Sequence, residues 1–312
     1  MSLASPEQPE NKNRYDEYLS KSLGRPIELI GASQLSGGFS NVPWRLDVVD
    51  GDMCISFVFK TSPSHRDKII EEAYPYNIRL EFDTLRKLES INPPTPKAWG
   101  LDEEGEALGT PCFIMEFMKG EPLMGPLFSG EPWSEDLYLD TVCALQAITP
   151  EQLGVLAKEF GKGCDALGHL MWAAERFPRY TSDPFASEVH TLLKELMPPP
   201  LEPRFGNGDL NPMNMLIQDR ELAGVIDFEF AGFSDPMFEF MSPICWYPQM
   251  RKRGLEERFC ERNGFDLDII EWYRALVLFC TWFGMLANPR VEGEGRTAVS
   301  CRQELEQWLE TS

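Results

Sequence analysis

Residues 206–236 read GNGDLNPMNMLIQDRELAGVIDFEFAGFSDP, and the fold turns on how this stretch is read. Asp209 and Asn214 stand five residues apart, and Asp227 follows thirteen further on. Asn214 to Ile217 reads as a strand, Gln218 to Ala223 holds a turn, and Gly224 to Asp227 reads as the return strand. In an antiparallel hairpin the start of the first strand lies beside the end of the second. The pattern therefore predicts Asn214 and Asp227 at one end, with Asp209 on the loop leading in. Oxygen donors of this kind suit Mg²⁺, which keeps several waters and takes few protein ligands. The remaining carboxylate can take a proton from an attacking hydroxyl. Each residue alone is an ordinary turn former, whereas the three together, beside Gly208 and apolar strands, favour a metal site.

Upstream, Val42, Trp44, Leu46 and Val48 alternate with other residues, Asp50-Gly51 marks a tight turn, and Met53 to Lys60 reads as the returning strand. Ile55, Phe57 and Phe59 share one face of that strand, leaving Lys60 at its end on the other. A helix is expected around Tyr76 to Leu88, with Ile78, Phe82, Leu85 and Leu88 as its apolar stripe and Glu81 within it. A carboxylate on a buried stripe needs a partner, and Lys60 is the sensible one. Phosphoryl transfer asks little covalent chemistry of a protein. It needs metal ions, a cation on the phosphates and an oriented nucleophile. Lys60 paired with Glu81 would supply the cation. The turn Leu35 to Asn41, with Gly37, Gly38 and Ser40, could cover phosphates with backbone N–H groups.

Downstream of Gly120 the chain reads as mostly helical until Pro198-Pro199-Pro200, with Asp183-Pro184 as a helix start. A small β-rich part of about 115 residues thus precedes a larger helical one, as two-domain length priors suit. The run Ala275–Ala287 is apolar but too short for a membrane span and reads as a core helix. Trp246, Trp272, Tyr273 and Trp282 read as core, and His169 and His190 as structural.

The 312 residues carry a formal charge of −21. Such a surface repels nucleic acid and anionic membranes, so neither is an expected partner, and it leans toward a cationic small molecule. The eight cysteines are scattered without a C-x-x-C pair, and there are three histidines, which argues against zinc ribbons and disulfide frameworks. Scattered thiols with no leader-like segment suit a reducing cytoplasm. The sequence does not address oligomeric state.

The residues Asn207-Gly208-Asp209, Asn214, Ile226-Asp227-Phe228 and Gly232-Phe233-Ser234-Asp235-Pro236 resemble the H-G-D-x-x-x-x-N, I-D-W/F and G-x-x-D-P signatures of the aminoglycoside phosphotransferase and choline kinase superfamily. LSGGFSN (35–41), PTPKAW (94–99), GTPCFIMEFMKGEPL (109–123) and WYRALVLF (272–279) are similar to the branch that includes kinase-like domains fused to acyl-CoA dehydrogenases. The likeness covers roughly residues 27–290.

It implies an α+β, protein-kinase-like bilobal fold. A nucleotide-binding lobe would span 1–115, with a hinge at 116–120 and a helical lobe over 121–312 carrying the catalytic loop and substrate site; within the first lobe, residues 1–13 are polar and proline-bearing and read as a flexible tail. It further implies Asp209 as catalytic base, Asn214 and Asp227 as magnesium ligands, and Lys60 with Glu81 on the phosphates of ATP or GTP. Glu116 and Met118 would bracket the hinge that binds the base. Asp235 would brace the loop after Asp227, while Glu229 and Glu239 would face a substrate cation. The activity so implied is ATP- and Mg²⁺-dependent phosphorylation of a hydroxyl on an aminoglycoside-like antibiotic, amino alcohol, sugar or hydroxyacyl compound.

Asn207 stands where the family has histidine, so an altered loop rigidity is expected. A silent nucleotide-binding protein is the competing class. A protein kinase is disfavoured because Asp227-Phe228-Glu229 replaces D-F-G and no A-P-E follows. A Walker-type NTPase is disfavoured because G-x-x-x-x-G-K-S/T does not occur.

Overall fold

The computed structural model describes residues 5–35, 43–62, 76–160, 164–251, 253–287 and 296–312, and Gly37, Gly38 and Ser40 lie outside them. It divides into two compact units. The first is Met1–Glu121 with Leu216–Gln218 and Leu222–Phe230; the second is Pro122–Met215 with Asp219–Glu221 and Ala231–Ser312.

In the first unit, α1 (Lys12–Leu23) precedes an antiparallel sheet of β1 (Glu28–Gln34), β2 (Trp44–Asp50), β3 (Met53–Thr61), β4 (Ala98–Asp102) and β5 (Cys112–Glu116). The spatial order is β1-β2-β3-β5-β4. The β2–β3 hairpin closes as expected, with Asp50 opposite Met53. Gly51 takes φ +62°, a left-handed value that costs a glycine nothing.

Period-2 alternation sends Phe57 and Phe59 into a core with Tyr15, Tyr18, Leu19, Leu46 and Ile114, where Tyr15 and Phe59 meet edge to face at 5.5 Å. The opposite face of β3 carries Val58 and Lys60. There α2 (Ile78–Leu88) lies across the sheet, its N-terminus capped by the Asn77 side chain accepting from the Leu80 N–H. Ile78, Glu81, Thr84, Leu85 and Leu88 are its buried residues, and Phe82 touches Phe113 at 5.7 Å. A helix with the predicted stripe thus points its single buried carboxylate at the strand that carries Lys60, one residue short of its end at Thr61.

The expected second hairpin is formed by β7 (Met215–Gln218) and β8 (Glu221–Val225), as two residues, Asp219 and Arg220, make the turn. Both have positive φ, 53° and 66°, as a type I′ turn requires. The strands therefore run further than the 218–223 turn anticipated. Asp-Arg is a weak turn signal beside Asn-Gly or Asp-Gly, which is why the sequence pattern spread the turn too widely. In the first unit β8 is tied down by its Val225 N–H donating to the Pro94 carbonyl at 2.9 Å.

The second unit is helical around one short strand pair, β6 (Arg204–Gly206) with β9 (Gly232–Ser234), in which Gly206 faces Gly232. Its longer helices are α3 (Pro132–Gln146), α4 (Ala166–Arg176), α5 (Pro184–Glu195), α6 (Pro236–Trp246), α7 (Leu255–Asn263), α8 (Ile269–Ala287) and α9 (Ala298–Thr311). Asp183 caps α5 by accepting from the Phe185 N–H, the start that Asp183-Pro184 predicts.

The expected core helix extends back to Ile269 as α8. Among the described residues it is the one helix long and apolar enough to cross a membrane, and 61% of its apolar window is buried inside the unit. Phe279 stacks on Phe177 at 4.5 Å, Phe283 meets Trp172 at 4.8 Å and Trp282 meets Phe185 at 5.5 Å. Trp272, Tyr273 and Trp282 are buried, as the core reading had them. His169 is buried too and lies flat on Phe238 at 3.6 Å. All eight cysteines are free thiols.

Candidate active site

The helical unit presents the loop that follows β6. Gly208 there has φ +80°, which turns the chain sharply before Asp209. Asn207 is buried and clamps Asp209 in both directions. Its amide Nδ2 donates to the Asp209 carbonyl at 3.0 Å, and its Oδ1 accepts from the Asp209 N–H at 3.2 Å. The buried Tyr138 hydroxyl donates to the Leu210 carbonyl at 3.1 Å.

A single 3₁₀ turn, Pro212–Asn214, then brings Asn214 back onto Asp209. Asn214 Nδ2 donates to the Asp209 carbonyl at 3.1 Å and to its carboxylate Oδ2 at 3.0 Å. Strand pairing is expected from the sequence to set Asn214 beside Asp227, with Asp209 on the loop leading in; within the helical unit it is the 3₁₀ turn that joins Asn214 to Asp209. With its nitrogen engaged on Asp209, Asn214 has its amide oxygen as the atom it can offer a cation.

Glu239 of α6 supports this loop from below. It is buried, accepts from the Gly208 N–H at 2.9 Å and takes the Ser234 hydroxyl at 3.2 Å. A Cβ on Gly206 would sit 2.1 Å from that carboxylate, so any side chain there would displace Glu239 from the loop. Glu239, expected to face a substrate cation, is thus turned inward onto the loop backbone. Burial pushes its carboxyl up to about 7, against the Gly208 and Ser234 hydrogen bonds that favour the charged form.

A carboxyl whose folded pKa is raised contributes stability that is full below its unfolded pKa of 4.5 and lost as pH rises toward about 7. At roughly 1.4 kcal/mol per unit, the loss is on the order of 3 kcal/mol. Glu239→Gln is therefore expected to flatten the fall in melting temperature between pH 5 and pH 8. A variant with the wild-type pH dependence would contradict this. Asp235 braces the same region as anticipated. It caps α6 by accepting from the Met237 and Phe238 N–H groups, and Tyr273 donates its hydroxyl to it at 2.8 Å.

The first unit presents the cationic part. Lys60 is 5% and Glu81 3% exposed, too buried for either charge to stand alone. The Lys60 ammonium meets Glu81 Oε1 at 2.5 Å and Asp227 Oδ1 at 2.9 Å. Burial works against the charge on Lys60, but the Asp227 and Glu81 carboxylates outweigh it and hold its pKa well above the ordinary lysine value. Two carboxylates sharing one ammonium compete for it, so Glu81 is raised, by burial first and by the Asp227 charge in addition. Glu229 adds a further negative charge near Lys60.

Asp227 itself sits at φ +63°, a left-handed backbone that a short polar residue tolerates best. The backbone there turns off the end of β8 while Phe228 is buried at 1% exposure. At the end of β5, the Glu116 N–H donates to the Lys97 carbonyl at 2.8 Å. Met118 covers Gly224, where a Cβ would lie 2.2 Å from the methionine methyl. Met118 and the strand leading to Asp227 are therefore packed together within this unit.

Lys60, Glu81 and Asp227 are thus brought together in one unit, and Asp209 and Asn214 in the other. Sequence reasoning missed Tyr138, Tyr76 and the inward role of Glu239. Lone hydroxyls and a carboxylate on a short helix leave no periodic signal. The Glu81 and Asp227 carboxylates meet the Lys60 ammonium, and Glu229 adds negative charge nearby. That excess of negative charge on hard donors fits Mg²⁺.

A small antiparallel sheet bearing a buried Lys–Glu pair, and a helical unit bearing Asp-x₄-Asn on a clamped loop, are the parts of a kinase-like phosphoryl-transfer enzyme. The chain belongs to the phosphotransferase enzyme family, whose sequence profile matches residues 31–274. It is 24% identical over 274 residues to the Arabidopsis thaliana protein named probable acyl-CoA dehydrogenase IBR3, covering 81% of this chain and 32% of that protein. The chain thus spans about a third of that relative's length. This is the acyl-CoA-dehydrogenase-linked branch that the motifs resemble.

Among solved structures, the aminoglycoside phosphotransferase APH(2")-IIia, in complex with GDP and kanamycin, shares the fold with a TM-score of 0.67 at 18% identity, covering 96% of this chain and 100% of that one. A thermostable mutant of APH(4)-Ia, in ternary complex with AMP-PNP and hygromycin B, shares it at 0.65 and 15% identity, covering 95% and 98%. The architecture expected from the sequence, a small antiparallel sheet with a larger helical part, is the one found.

Proposed function

We propose that the protein transfers the γ-phosphoryl group of ATP, with GTP as the alternative donor, to a hydroxyl of a small molecule. The Lys60 ammonium, buried and held by two carboxylates, is the observation that carries this reading. The buried Lys60–Glu81 pair contributes little net stability, and phosphate binding gives it a purpose. Lys60 would meet the nucleotide phosphates with Glu81 fixing its position, and the backbone of Glu116 to Met118 would take the base.

Asp209 orients the acceptor hydroxyl and takes its proton as the oxygen bonds to phosphorus and the bond to the departing nucleoside diphosphate breaks. Asn214 and Asp227 would hold Mg²⁺, which when bound neutralises charge on the phosphate oxygens. The two solved relatives, one bound to AMP-PNP and hygromycin B and the other to GDP and kanamycin, support a nucleotide and a small molecule as the ligands. The acidic surface favours a cationic acceptor, with amino alcohols, sugars and hydroxyacyl compounds as the remaining classes. Scattered free thiols suit a cytoplasmic setting.

The test is consumption of MgATP and of MgGTP against a library of hydroxyl-bearing metabolites and antibiotics. Phosphate should appear on one acceptor class, and calorimetry should show a nucleotide complex without acceptor. A protein that binds nucleotide but phosphorylates nothing would be the silent binder instead.

A further inference from the structure

Tyr76 lies just before α2, outside every motif named above. Its hydroxyl donates to Glu81 Oε2 at 2.8 Å while Glu81 Oε1 receives Lys60 at 2.5 Å. Each oxygen of the buried carboxylate therefore has its own donor, which fixes the plane of the group as well as its place. A carboxylate held through one oxygen can rotate about its last torsion, a broad and soft one. Asn77, the next residue, caps α2, so the tyrosine backbone is anchored at a defined point of the helix that carries Glu81.

The arrangement matters because Lys60 has a second claimant. Asp227 Oδ1 is 2.9 Å from the ammonium. On the phosphotransferase reading, on which this inference rests, Asp227 turns to a metal ion and the phosphates pull on Lys60. Glu81 must then hold the lysine under load.

We propose that Tyr76 is a positioning residue for nucleotide binding: its hydroxyl locks Glu81 so that Lys60 stays in place when Asp227 engages the metal. Tyr76 touches neither nucleotide nor acceptor in this account and acts only through Glu81. Partners of this kind behind a ligand-binding group typically contribute about 10-fold or more in affinity.

The test is a double-mutant cycle in the full chain, with the affinity for Mg·AMP-PNP measured by calorimetry. Tyr76→Phe keeps the ring and removes only the hydroxyl. It is expected to weaken binding about 10-fold in the wild-type background and less than about 2-fold in a Glu81→Gln background, where no carboxylate remains to be locked. Equal losses in both backgrounds, or no loss in Tyr76→Phe, overturn the proposal, because a merely structural tyrosine gives additive effects. If Tyr76→Phe does not fold, Tyr76→His, which keeps a ring donor, and Tyr76→Leu, which keeps none, carry the same comparison. A wild-type protein that binds no Mg·AMP-PNP overturns the nucleotide reading itself, a result distinct from the loss of coupling.

Discussion

Asp209→Asn is expected to lower kcat by about three orders of magnitude, the range in which a positioned general base contributes, while nucleotide affinity stays within about twofold of wild type. The expectation follows from how the loop is held. Asn207 grips the backbone of Asp209 through its N–H and its carbonyl. The Glu239 anchor acts on Gly208. An asparagine at 209 still offers an oxygen to Asn214 Nδ2, so the turn from 211 to 214 should survive. What disappears is the basic oxygen that takes the proton from the acceptor. Steady-state turnover with an identified acceptor, run beside calorimetry with Mg·AMP-PNP, separates the two quantities. Wild-type turnover in Asp209→Asn would remove Asp209 from the chemistry.

Lys60→Met should be the most damaging change in the first unit. It leaves Glu81, 3% exposed, without its ammonium and beside a second carboxylate. Breaking a buried pair by removing one partner typically costs about 3–5 kcal/mol. Glu81, already raised by burial, then rises further, so the variant's deficit should be smallest at acid pH and grow as pH climbs through the folded value. Adding Glu81→Leu should recover most of the stability and none of the nucleotide affinity. Urea unfolding at pH 5 and pH 8 provides the check. A single variant as stable as wild type at pH 8 would mean that Glu81 is neutral or solvated without Lys60.

Much of this was legible in the sequence. The β2–β3 hairpin announces itself through alternation and Asp50-Gly51. The position of Glu81 on an apolar stripe, facing a strand that ends in lysine, predicts the pair found at 2.5 Å. Asp209 and Asn214 come together through a 3₁₀ turn that Pro212 begins. A pattern reading for strands does not detect a turn of that length. Glu239 was misplaced because charge alone suggested a solvent-facing group. Its inward direction is set by Gly206, whose missing side chain leaves room for the carboxylate. Tyr76 gave no signal, since a tyrosine beside a helix start is ordinary and its partner lies a turn and a half away.

The amide at position 207 has a consequence of its own. An imidazole there would change from one N–H to two as the medium acidified, and its bonding to the loop would change with it. Asparagine neither gains nor loses a proton over the range in which proteins stay folded. Its two bonds to the residue at 209 therefore keep the same polarity in weak acid and weak base, and the setting of that residue is insulated from swings in acidity.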